Sequence, residues 1–189
     1  MDADFDWGGV QASTPVFKKG DYELEIKKVR GSAWPKKDKQ GNPTGDITQV
    51  IRLRCEMQGV LDSKGKLQGK QDGKEIRGVT TEEANLWVHT DGGRKQAKKV
   101  MMAICGYNPE EQSDEDKFNA FLKKSGLDLS FKAIPKDDDS GYTLEIGEGW
   151  AALLEGKQVR CTMDEEIRKQ EGREDSLQQN FVRFSPING

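Results

Sequence analysis

The chain is poor in the residues that most often carry metal and acid–base chemistry. It has one histidine, His89, among 189 residues, which removes most catalytic triads, His-clustered metal centres and imidazole relays together. Its three cysteines, Cys55, Cys105 and Cys161, are far apart and odd in number. They fit neither a disulfide framework nor a zinc knuckle with its close pairs of thiols, and are expected to be small buried hydrophobes in a reducing compartment. No apolar run approaches the ~18–20 residues of a membrane span, and the opening Met1-Asp2-Ala3-Asp4 is acidic where a signal peptide would be basic. The expectation is a soluble, cytoplasmic protein. Large aliphatic and aromatic residues are also scarce. Leu, Ile, Val and Phe make 38 of the 189 residues, at the edge of the disorder-prone range, although a net charge of -3 is too small to force the chain to expand. A lean folded core carrying long solvated loops follows, and the length suits one domain.

What is present is unevenly distributed. Residues 1–15 carry Asp2, Asp4 and Asp6 with no basic partner, residues 16–107 have 19 Lys and Arg against 12 Asp and Glu, and residues 108–189 have 11 against 18. A basic segment inside an acidic protein points to a local surface for a polyanion. Solvated Lys-rich loops are the plainer explanation of any one such run.

Most of the periodic segments have the period of a strand. Tyr22, Leu24 and Ile26 alternate with charged residues, and Ile47, Ile51, Leu53, Cys55 and Met57 alternate with Thr48, Val50, Arg52 and Arg54. Between them, residues 31–46 are rich in Gly, Pro and Asn and read as a mobile loop; residues 59–78, rich in Gly and Lys, read as a hairpin extension or a flexible excursion. Ala84, Leu86 and Val88 form the inward set of a third strand and leave Trp87 and His89 on its other face. The period then becomes helical, with Ala97, Val100, Met101 and Ile104 on one face. A second helix over about 113–124 is expected to bury Phe118, Phe121 and Leu122 and to stop at Gly126. Short strands near 129–134 and 142–146, a helical turn at 150–154 and a closing strand pair at 158–163 and 180–184 complete the chain, with 164–177 as a flexible loop. This order predicts a mainly β protein, a small partly closed barrel or sheet with long loops and a helical insert after the third strand.

Candidate chemistry divides into weak catalytic signals and a stronger binding one. Glu25-Ile26-Lys27 is the acid-x-Lys triplet of metal-dependent nucleases, but in a chain with 33% charged residues alternating charges on a solvated strand are the background. Gly92-Gly93-Arg94-Lys95 precedes a helix and offers a contact to a nucleic-acid phosphate, without the spacing of a nucleotide-hydrolysing loop. Arg52 and Arg54 lie two residues apart on one strand face, and Trp87 is out of phase with the core row of its own strand. A base stacked on an outward tryptophan would cover it while the arginines neutralise phosphates. Trp34, beside Lys36, Lys37 and Lys39, repeats the pairing of an aromatic with cations. The opposing reading is that Trp87 packs under residues 59–78 and that Trp34 pins its own loop.

The closing stretches Leu154-Glu-Gly-Lys-Gln-Val-Arg-Cys-Thr-Met163 and Gln179-Asn-Phe-Val-Arg-Phe-Ser-Pro186, with the opening Asp4-Phe-Asp-Trp7 and Gly20-Asp-Tyr-Glu-Leu-Glu-Ile26, resemble bacteriophage single-stranded DNA-binding proteins of the OB-fold type. The resemblance implies an OB-like, partly closed five-stranded barrel spanning 16–189 after an acidic-aromatic arm, 1–15. It implies sequence-tolerant binding of single-stranded DNA in phage replication or recombination, without catalysis, cofactor or metal, inside the host cell. It would assign Trp34, Trp87, Arg52 and Arg54 to the DNA; the basic loop and the helix start add Lys36, Lys37, Arg94 and Lys95 as candidate contacts, with replication or recombination proteins as further partners. One departure is the C-terminus: Arg183-Phe-Ser-Pro-Ile-Asn-Gly189 is not the acidic tail by which many such proteins recruit partners. A protein-binding accessory or inhibitor module, using the same tryptophan and basic loop, is the alternative from another class.

Overall fold

The computed structural model describes residues 17–137, 141–168 and 176–187, with the side chains of 82–83, 165–168 and 176–180 left out. The acidic-aromatic arm therefore lies outside the described residues. Two long antiparallel strands dominate: β1 (Gly20–Lys37) and β2 (Pro43–Leu61) pair from Tyr22 opposite Val60 to Lys37 opposite Pro43. The loop expected over 31–46 is thus mostly ribbon, and only the tip turns. Asp38 makes the turn possible, its carboxylate accepting from the backbone N–H of Gln40 at 2.9 Å and of Asn42 at 2.8 Å, as short polar side chains do in Asx turns. Gly31, Ser32 and Pro35 have low strand propensity, but the well-patterned Ile47–Ile51 segment recruits them through the cross-strand ladder.

The segment 59–78 is a hairpin extension. The end of β2 pairs with β3 (Leu67–Gln68), β4 (Lys70–Gln71) pairs with β5 (Lys74–Glu75), and Ile76, 2% exposed, enters the core. Strand β6 (Thr80–Trp87) then lies beside the middle of β2. Helices α1 (Asp91–Ile104) and α2 (Gln112–Ser125) follow, then the hairpin β7 (Phe131–Pro135) and β8 (Tyr142–Ile146), the short α3 (Gly149–Leu154), and the antiparallel pair β9 (Gln158–Arg168) and β10 (Ser176–Ser185). The flexible loop expected over 164–177 is shortened by both strands; its centre, 169–175, lies outside the described residues.

The sheet is large and antiparallel, in the order β10-β9-β1-β2 with β6 on the far edge of β2, and the described strands do not close it into a five-stranded barrel. β1 changes partner halfway along: Gly20–Glu25 pair with β9, and Ala33 meets Tyr142 of β8. Between these two pairings Ile26 donates to the Lys157 carbonyl, Gly156 donates to the Ile26 carbonyl, and Val29 donates to the Glu155 carboxylate, each at 2.8 Å. Among the described residues no strand pairs with β1 there, and these three backbone groups find loop partners instead. Gly31 lets β8 cross, since a Cβ there would sit 2.3 Å from the Leu144 carbonyl oxygen.

The core fills with Tyr22, Leu24, Ile26, Leu53, Met57 and Met163, all almost fully buried. α1 closes over β6 and β10 with Ala97, Val100, Met101 and Ile104 facing inward, as its 3.6-residue period predicts, and Met102 and Ala103 are buried as well. In α2, Phe118 is buried, but Phe121 is 39% exposed rather than part of the core. Phe121 stacks on the outer side of Phe118 at 6.3 Å between ring centroids, so the deeper position is already occupied.

Candidate nucleic-acid interface

The outward faces of β1, β2 and β6 form one surface whose chemistry changes along the strands. At one end Glu25 faces Glu56 across the ladder. Lys27 bridges the two carboxylates at 2.8 and 3.8 Å, and the Gln58 amide donates to both. Its hydrogen bond to Glu25 and the nearby negative charges raise the Lys27 pKa above the ordinary ammonium value. The Glu25-Ile26-Lys27 triplet is therefore engaged in a surface ion pair, and among the described residues no group of three or more His, Cys, Asp or Glu could hold a metal ion.

Beyond a bulge at Lys27 the face turns cationic. Lys28 stands opposite Arg54 and Arg30 opposite Arg52, two successive like-charged cross-strand pairs, an arrangement that destabilises a free sheet. Lys28 and Arg54 are exposed. Arg52 is half-buried, and its Nε is buried without a hydrogen-bond partner. Sequence reasoning singled out Arg52 and Arg54 and missed Lys28 and Arg30. The available signal was the break in the β1 alternation, from Tyr22, Leu24 and Ile26 to Val29, which marks the bulge and turns Lys28 outward.

Past the cations the surface becomes aromatic. Trp34, on the ribbon rather than on a loop, packs edge-to-face against Trp87 at 6.1 Å and 79°, and Trp87 meets His89 at 5.9 Å and 67°. The Arg52 guanidinium carbon lies 5.7 Å from the Trp34 ring centroid, within cation–π range. Next to them on β2, Val50 stands opposite Trp87 on β6 and Ser32 on β1. It is 1% exposed although it belongs to the outer row and not to the central core. Trp87 itself is 45% exposed. His89 is half-buried, with Nδ1 3.3 Å from the Gln49 carbonyl oxygen.

The remaining sequence candidates lie around this surface. Lys36 pairs with Asp46 at 3.7 Å, and Lys37 is exposed near the ribbon tip. Arg94 is held by Asp91 and by the Val88 carbonyl at 2.9 Å, and Lys95 is exposed on the first turn of α1. Gly92-Gly93 is not an open phosphate cradle. The Gly93 N–H is capped by the Thr90 hydroxyl at 3.0 Å, and a Cβ on Gly93 would come 2.3 Å from the Trp87 carbonyl oxygen, so this glycine lets α1 start against the end of β6. Farther along α1, Lys98 and Lys99 pair with Glu115 and Glu110.

Cys55 and Cys161 are buried and Cys105 is half-buried. Burial pushes the Cys55 thiol up to about 12 and Cys105 to about 11, so both stay protonated at neutral pH and are poor nucleophiles. The outer face of the three strands thus places cations and aromatic rings side by side. No family model matches the chain, and no curated protein matches it significantly.

Proposed function

We propose that the protein binds single-stranded DNA, without catalysis and with little sequence preference, across the outer face of β1, β2 and β6. The observation that carries this reading is the presence, on one sheet face, of the exposed cations Lys28 and Arg54 with the exposed ring of Trp87. Stacking on an aromatic is indifferent to base identity, and backbone neutralisation is indifferent to sequence. The strand order supports an OB-like reading of the fold. Setting aside the β7–β8 hairpin and the short β3, β4 and β5, the strands run β6-β2-β1-β9-β10, with β10 approaching β6 across the gap. On that reading β2 and β6 would correspond to the second and third strands of an OB fold, the face on which OB folds bind oligonucleotides, and the Lys-rich 36–42 turn to the loop joining strands one and two. The resemblance to bacteriophage single-stranded DNA-binding proteins gives the setting, phage replication or recombination. Competition between single- and double-stranded oligonucleotides, with and without Mg²⁺, tests the proposal. Preference for the single strand, with the strand left intact in Mg²⁺, supports it; equal affinity for the duplex, cleavage, or no binding overturns it.

A further inference from the structure

The two tryptophans of the aromatic end do not have the same surroundings, and the difference bears on which of them a base can reach. Trp34 is half-buried. The Arg52 guanidinium lies over its ring, and Trp87 meets it at 79°. Two rings nearly perpendicular cannot both lie parallel to successive stacked bases. Trp87, by contrast, is 45% exposed, and its ring is flanked on two sides by Trp34 and His89, opposite the buried Val50. Arg52 differs from Arg54 in the same way. Arg54 is exposed on the open face, whereas Arg52 is half-buried with a sequestered Nε and is turned onto Trp34.

We infer that base contact at this end of the surface is made by Trp87 alone, and that Trp34, clamped by Arg52, is a positioning residue that holds the Trp87 ring upright. This rests on the proposed single-strand binding and assigns separate roles within it. Arg52 then acts through an aromatic ring and not as a phosphate contact, while Lys28 and Arg54 carry the phosphates. The site has one stacking position where the sequence pattern suggests two.

The test measures the affinity of the full chain for oligo(dT) over a range of salt, together with quenching of tryptophan fluorescence, for Arg52→Gln, Arg54→Gln, Trp34→Phe, Trp34→Ala and Trp87→Phe, each checked for an unchanged circular dichroism spectrum. Arg54→Gln is expected to flatten the slope of log affinity against log salt by ~0.7, the effect of one lost phosphate contact on a single strand. Arg52→Gln is expected to leave the slope as in the native chain and to weaken binding ~2- to 5-fold, the scale of an exposed cation–π contact. Trp34→Ala should weaken binding ~2- to 10-fold, the scale of a lost aromatic pair, with Trp34→Phe restoring it. The DNA-induced quenching should persist in Trp34→Phe and fall away in Trp87→Phe. A slope flattened equally by Arg52→Gln and Arg54→Gln, or quenching lost in Trp34→Phe and kept in Trp87→Phe, overturns the division of roles while leaving single-strand binding intact. A native chain that fails to bind oligo(dT) overturns both.

Discussion

Replacing Trp87 separates a binding surface from a patch of misplaced core, provided the replacement respects what the ring covers. Trp87 is 45% exposed, so about half of the ~200 Å² that a tryptophan can bury is covered. At ~25 cal/mol per Å², that covered area of roughly 100 Å² is worth about 2.5 kcal/mol, as an upper bound. Trp87→Ala removes this contribution and the side chain opposite the buried Val50, lowering Tm by ~5–10 °C for a chain of this size. Its effect on binding is then mixed with a loss of structure. Trp87→Leu keeps an apolar side chain opposite Val50 and loses only the flat ring. A base stacked on an aromatic contributes ~1–3 kcal/mol, or ~5- to 150-fold in affinity. The expected result, by fluorescence anisotropy with a labelled oligo(dT) well below Tm, is a loss in that range for both variants, with a large fall in Tm for Ala alone. If Trp87→Leu binds as tightly as the native chain, the ring serves only as apolar packing and the stacking argument fails.

Other consequences follow from the same geometry. Lys28→Gln should flatten the salt slope by ~0.7. Because Lys28 faces Arg54 across the ladder, it should also raise the unfolding midpoint in urea, since opposed like charges cost ~0.2–1 kcal/mol; a lower midpoint would mean that the pair is already neutralised in the free protein. Gly31→Ala places a methyl group 2.3 Å from the Leu144 carbonyl and should cost ~1–3 kcal/mol through displacement of β8, read as a lower midpoint; an unchanged midpoint would show that β8 moves freely. The Asp38 carboxyl is held below its usual pKa, first by the Asn42 N–H and also by Gln40 and Gly41. Its contribution to the ribbon tip is therefore complete above the ordinary carboxylate value and is lost as pH falls through the lowered folded value. Amide exchange at Gln40 and Asn42 should accelerate on acidification beyond its intrinsic pH trend in the native chain and lose that excess in Asp38→Ala; identical profiles would remove Asp38 from the turn.

Much of the fold is legible in the sequence because its period is local. The inward rows of β1, β2, β6 and β9 and the buried stripe of α1 follow from alternation or helical spacing alone. The ribbon over 31–37 and 43–46 is not legible in this way. Gly31, Pro35, Pro43 and Gly45 carry the composition of a loop, and their strand conformation comes from pairing with a partner whose own pattern is strong. The same holds for Ile76, an isolated apolar residue among lysines and glycines. It reaches the core only because β3, β4 and β5 fold the chain back on the end of β2.

The candidate site shows how far phase can be carried without register. Alternation places Arg52, Arg54 and Trp87 outward, which is a statement about each strand separately. Whether they form one surface depends on which residues stand opposite each other, and that is decided by the ribbon turn and by the register shifts along the β1–β2 ladder. The five-residue turn Asp38–Asn42 together with the register shift between Pro35 and Lys37 sets Trp34 opposite Thr48, and the bulge at Lys27 sets Lys28 opposite Arg54. Shifting either by one residue would send a whole row to the other face. Trp34 would then enter the core, and Ala33, the ladder partner of Tyr142, would face solvent. The aromatic pair, the cation clamp on Trp34 and the buried Val50 are thus consequences of register. They leave Trp34 half-buried beside the Arg52 guanidinium while Trp87 stays exposed, a difference that strand phase alone does not give.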